Sequence, residues 1–106
     1  LTAATAALMA EASPGTQVFS AEPALFDDTR RSLEAGERVA HPNGQRTICA
    51  AVMTPIPGEL TFSINRDLLA GGVTATDSEV RDAMRFAYDH FRIVAEPGAS
   101  LLEDRT

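Results

Sequence analysis

The chain contains no lysine; all nine of its basic residues are arginines. A guanidinium stays protonated at working pH, so no side chain here can serve as a primary-amine nucleophile. Tryptophan is also absent, and the single cysteine, Cys49, excludes an intrachain disulfide. That fits a reducing cytoplasm, the expected location. The apolar runs fall far short of the roughly 18–20 residues that span a bilayer. The Ala-rich opening lacks a basic leader and carries Glu11, so no signal peptide is expected. Basic charge is in the minority, with a formal net charge of −6 and no basic run. Nucleic acid and anionic membrane are therefore excluded as partners.

What is present suits one modest core: 106 residues, 44% of them apolar, with no repeats and no low-complexity segment. Leu1 to Ala12 is rich in Ala and Leu and reads as a helix whose small faces pack closely. After a Pro14-Gly15 turn, Gln17 to Ala21 alternates polar and apolar residues and reads as a strand that Glu22-Pro23 ends. Asp27 to Ala35 has acids in its first turn and Gly36 just past its last, the signals of a helix start and stop. Glu37 to Arg46 is a loop, and the short apolar run Thr47 to Ala51 reads as a buried strand. Gly58 to Leu69 reads as a helix with Leu60, Ile64, Leu68 and Leu69 on its apolar face, ending at Gly71-Gly72. Val73 to Thr76 is a strand, and Thr76-Asp77-Ser78-Glu79 is a capping box opening a helix that runs to about His90. Val80, Met84, Ala87 and Tyr88 form the apolar stripe of that helix. Arg92 to Pro97 returns to strand character. Helices alternating with strands imply an α/β layer with a mainly parallel sheet.

The densest chemistry lies in Ala21-Glu22-Pro23-Ala24-Leu25-Phe26-Asp27-Asp28. Glu22 ends a strand and Asp28 sits in a first helical turn, so two hard oxygen donors can meet. Two readings are open. In the first, Asp27 is the N-cap, Asp28 complements the helix dipole and Glu22 is solvated. In the second, a divalent cation takes one oxygen from each of Glu22 and Asp28, a backbone carbonyl from the loop between, and waters for the rest. Mg²⁺, Mn²⁺ and Ca²⁺ accept such an all-oxygen shell. His41 and His90 each lack a second His or Cys at ligand spacing, so neither is expected to bind metal or move a proton. Cys49 reads as a buried structural thiol.

Several blocks occur in fixed order: Glu22-Pro23, Asp27-Asp28 with Thr29 to Gly36, Thr47-Ile48-Cys49, Thr54 to Phe62, Ala83-Met84-Arg85, and Val94-Ala95-Glu96-Pro97. Together they closely resemble the C-terminal half of the catalytic region of the pyridoxal-phosphate (PLP)-dependent threonine/serine dehydratases, a family that includes the serine racemases. The resemblance runs from about Leu8 to Pro97. It implies an α/β fold of type II, tryptophan synthase β-like, with a mainly parallel sheet flanked by helices. It also implies that residues 1–106 form a single partial catalytic domain, without the lysine and the glycine-loop segment of the family. Leu1, which is no initiator methionine, and an opening inside a helix agree with that expectation.

For sites, the resemblance implies Glu22, the Phe26 carbonyl and Asp28 as ligands of Mg²⁺, Mn²⁺ or Ca²⁺. It places Ala51 and Glu96 beside the cofactor. The family has Asp-Gly where this chain has Ala50-Ala51, and a methyl at Ala51 would crowd the cofactor ring. Beyond Pro97 the resemblance fails, since Ser100 to Thr106 is short and polar where relatives carry the partner of the pyridine nitrogen. For the complete enzyme the family implies β-elimination from L-threonine or L-serine to a 2-oxo acid and ammonia, a small amino-acid substrate and a homodimer. The isolated chain, lacking lysine, is expected to be inactive. The alternative is a non-catalytic α/β module that binds a divalent cation or a partner chain.

Overall fold

The computed structural model describes residues 1–101; the end of the polar tail from Leu102 on lies outside them. Helix α1 spans Thr2–Ala12, strand β1 Phe19–Pro23, helix α2 Asp28–Ala35, helix α3 Glu59–Leu68, strand β2 Gly71–Ala75 and helix α4 Asp77–Phe91. A single 3₁₀ turn, Ala50–Val52, lies between α2 and α3. The two strands pair in parallel, Phe19 opposite Gly71 through Pro23 opposite Ala75. The ladder continues at both ends, with the Ala70 N–H donating to the Val18 carbonyl and the Ala24 N–H to the Ala75 carbonyl. Parallel pairing demands a crossover, and α2, the long loop and α3 supply it.

Each element follows from local chemistry. Gly36 ends α2 at φ 74°, a left-handed conformation that glycine adopts without penalty. The capping box of α4 forms as expected: the Thr76 N–H donates to Glu79 Oε2 at 2.7 Å and the Glu79 N–H to Thr76 Oγ1 at 3.3 Å. Buried Ala3 and Ala6 of α1 are small enough to let that helix lie close to α3.

Four expectations are corrected. The Thr47–Ala51 run is not a strand. Its Thr47 hydroxyl and Ile48 N–H donate to the Asp77 carboxylate at 2.5 and 3.1 Å, so a side chain at the start of α4 satisfies groups that a sheet would otherwise pair. Arg92 to Pro97 is irregular as well. Arg92 takes φ 56°, and the N–H groups of Arg92 and Ile93 donate back to the Tyr88 and Ala87 carbonyls, turning the chain away from strand geometry. Strand β2 begins at Gly71, two residues before Val73, because the glycines pair rather than turn. On α3 the buried residues are Phe62 and Asn65, while Leu60 is 75% exposed.

The buried cluster joins Cys49, Ala75, Val80 and Leu101, with Ala21, Ile48, Val52 and Met84 packed against it. Burial pushes the Cys49 thiol above its ordinary pKa, consistent with a structural role. Outside this cluster much apolar surface faces outward: Phe86, Tyr88, Phe91, Ile93 and Val94 are all at least half exposed. Among the described residues no helix is long and apolar enough to cross a membrane.

Candidate functional site

The β1 ladder and the turn that follows it fix Glu22. Pairing opposite Thr74 holds its backbone in the sheet, and the Phe26 N–H donates to the Pro23 carbonyl at 2.8 Å, closing the turn that leads into α2. The Glu22 carboxylate then meets the helix end-on. Oε1 accepts from the Thr29 N–H at 2.8 Å and Oε2 from the Arg30 N–H at 2.9 Å. Both N–H groups belong to the first turn and have no intrahelical acceptor, so Glu22 caps α2 from the neighbouring strand.

This corrects the first reading of the motif. Asp27 occupies the N-cap position but its side chain makes no capping bond. It is instead paired with the Arg30 guanidinium, through Nε at 3.1 Å and through Nη2. Nor is Glu22 a freely solvated acid: burial raises its pKa, against the lowering effect of its bonds to Thr29 and Arg30.

Asp28 is only 2% exposed, and its Oδ1 is buried with no hydrogen-bond partner among the described residues. Burial first, and the Glu22 charge second, push its pKa to about 6. A carboxyl whose pKa is raised by burial and by a neighbouring carboxylate's charge forms a site that favours added positive charge. The Phe26 carbonyl also accepts no hydrogen bond from the described residues, because the Arg30 N–H that would reach it bonds Glu22 instead. An orphaned carboxylate oxygen, a free carbonyl and a second carboxylate fit a hard divalent cation. Among the described residues no three His, Cys, Asp or Glu side chains are grouped to hold a metal, so any such ion would keep several waters.

A residue that its sequence spacing set aside joins this turn. His41 is 8% exposed and its ring meets Phe26 edge-on, with centroids 4.3 Å apart. It lies near enough to act electrostatically on the Asp28 carboxyl. No spacing signal marks it, since a loop separates it from the motif. His90, in contrast, is exposed on α4, stacked on Phe86.

The two expected cofactor neighbours lie on separate segments. Ala51 lies exposed in the 3₁₀ turn, and Glu96 lies exposed in the segment after α4, where Oε1 accepts from the Ala99 N–H at 3.1 Å. These residues could furnish part of a pocket wall. They do not fit the anchoring of PLP, which needs an amine that the chain lacks.

A profile for the family described as "Pyridoxal-phosphate dependent enzyme" matches residues 1–102. Over 89 residues, 83% of this chain, the sequence is 36% identical to the serine racemase of Dictyostelium discoideum, covering 27% of that protein. Over 89 residues, 84% of this chain, it is 34% identical to the beta-hydroxyaspartate dehydratase of Paracoccus denitrificans, covering 28% of it. The crystal structure of a T.th. threonine deaminase superposes with a TM-score of 0.91 at 35% identity, covering 95% of this chain and 34% of that one. The chain thus spans about a third or less of the length of these relatives.

Proposed function

The chain belongs to the pyridoxal-phosphate-dependent enzyme family, and on that premise we propose that it is one part of an enzyme that eliminates water from L-threonine or L-serine, giving a 2-oxo acid and ammonia. The observation that carries this reading is the superposition on a threonine deaminase over nearly the whole chain, at 35% sequence identity. The other relatives, a serine racemase and a beta-hydroxyaspartate dehydratase, are named for amino acids of the same small polar kind.

When bound, PLP supplies the electron sink that acidifies the bond next to the amino group. No proton transfer is assigned to residues 1–101, because the amine that anchors the cofactor is not among them. Ala51 and Glu96 would form an edge of the pocket. The exposed apolar side chains from Phe86 to Val94 favour packing against further structure over a stand-alone module. The complete protein is read as a homodimer.

The test is an assay of the complete protein with PLP and each of L-threonine, L-serine and 3-hydroxyaspartate. Threonine or serine should yield 2-oxobutyrate or pyruvate with stoichiometric ammonia. Turnover of hydroxyaspartate alone, or formation of D-serine without 2-oxo acid, would overturn the substrate assignment while leaving the family intact.

We also propose that Glu22, the Phe26 carbonyl and Asp28 hold a divalent cation, Mg²⁺, Mn²⁺ or Ca²⁺, which would stiffen the strand-to-helix turn. Added Mg²⁺ or Mn²⁺ should raise the melting temperature of wild type and leave Asp28→Ala unchanged. In chelator at pH 7, Asp28→Asn should melt higher than wild type, because it removes a buried charge without a counter-charge. Equal responses to the ions in wild type and Asp28→Ala would remove the site.

A further inference from the structure

His41 belongs to none of the motif blocks, yet it is held at three points. Its backbone N–H donates to the Pro55 carbonyl at 3.0 Å, its ring packs against Phe26, and Nδ1 lies 2.8 Å from the Pro42 carbonyl. A carbonyl oxygen can only accept, so Nδ1 carries the hydrogen of that bond, and in the neutral ring Nε2 is left as an acceptor. Nε2 is buried with no partner among the described residues.

Asp28 Oδ1 is in the same condition. The two side chains are electrostatic neighbours, and Phe26 connects them: its ring carries His41 and its carbonyl belongs to the Asp28 turn. An ionised carboxylate oxygen and a bare imidazole nitrogen cannot bond one another, since both accept. A cation ligated by Asp28 satisfies the carboxylate oxygen directly, and a water held on that cation, its hydrogens polarised by the charge, gives Nε2 a strong donor.

We propose that His41 is a positioning residue for the divalent cation at Glu22, Phe26 and Asp28, with Nε2 accepting a hydrogen bond from a water on the ion rather than binding the ion itself. The inference rests on the cation reading of the preceding subsection. The outer position follows from the grouping of side chains, since Glu22, Asp28 and His41 do not converge as a three-ligand set. An acceptor so placed orients the water and makes the ion harder to remove, as partners of ligands do in other metal sites. That nitrogen is buried away from competing solvent, which is why a single acceptor can have a measurable effect.

Calorimetric titration of Mg²⁺ and Mn²⁺ into the chelator-treated complete protein tests it. His41→Phe, which keeps ring packing against Phe26 but has no acceptor, should bind each ion about tenfold more weakly or worse. His41→Gln, which restores an acceptor, should recover part of that loss, and it serves as the second variant should the phenylalanine fail to fold. Pulsed electron paramagnetic resonance of the Mn²⁺ form should show exchangeable water protons and no nitrogen coupling of a directly bound imidazole. Wild-type affinity in both variants, or a direct imidazole coupling, would overturn the proposal. A wild-type protein that binds neither ion would instead overturn the cation reading beneath it, so the two failures are distinct.

Discussion

Glu22→Ala is expected to destabilise the chain by about 3 kcal/mol, even with all cations chelated, because it strips two first-turn N–H groups of a charged acceptor. At the size of this chain such a loss lowers the melting temperature by roughly 12–24 °C, read by circular dichroism in chelator. The reasoning rests on geometry. Thr29 and Arg30 have no other acceptor for those hydrogens, Asp27 being turned to the Arg30 guanidinium. Glu22→Gln should recover less than half, since its amide offers one oxygen and sets an NH₂ group against the second N–H. A fall of under about 3 °C in Glu22→Ala would mean that water satisfies the helix end equally well and that α2 is held by packing alone.

The second large effect is expected at Gly72. A Cβ built there would lie 2.8 Å from Arg30 Cβ, 2.8 Å from Ser20 Oγ and 3.1 Å from Arg30 Cα. The last contact is to backbone, so rotation of a side chain cannot relieve it. Helix α2 must move off β2. Gly72→Ala should cost about 2 kcal/mol and Gly72→Val about 3 kcal/mol or more, in the upper range of overpacking effects. Gly15→Ala is the control: nothing lies within 4 Å of its added Cβ, and a change of under about 0.5 kcal/mol is expected. The Gly72 variants carry a second signature, because Arg30 is also where Glu22 caps the helix. Displacing Arg30 should weaken Mg²⁺ response along with stability; a folded Gly72→Val that retains both would refute the close approach.

These two positions show where sequence reasoning succeeds and where it stops. Gly71-Gly72 reads as the end of a helix because glycine pairs commonly punctuate the chain. In the fold they are strand residues, and the missing side chain at Gly72 serves the approach of a helix from elsewhere in the sequence. Leu60 reads as core by its spacing on α3, yet α3 turns Phe62 and Asn65 inward and leaves Leu60 exposed. Periodicity identifies a helix but does not choose its buried face when the surroundings are mixed. Thr47 to Ala51 and Arg92 to Pro97 carry strand-like composition. Their polar backbone groups are settled by Asp77 and by the end of α4, partners that no local window reveals.

The local elements were legible for local reasons. The Thr76–Glu79 box, the Gly36 stop and the Glu22-Pro23 strand end are chemistry among residues a few positions apart, and ordered blocks of such residues also carried the family resemblance. The absence of lysine settled, without any structure, that the covalent anchor for PLP is not among these residues. Tertiary structure alone decided that Glu22 rather than Asp27 caps α2, that Asp28 keeps an orphaned oxygen, and that His41 arrives against Phe26. Hydrogen bonds and charge act over a few ångströms of space, whatever the distance along the chain; the fold, which brings the 37–46 loop onto Phe26, set what meets at the turn.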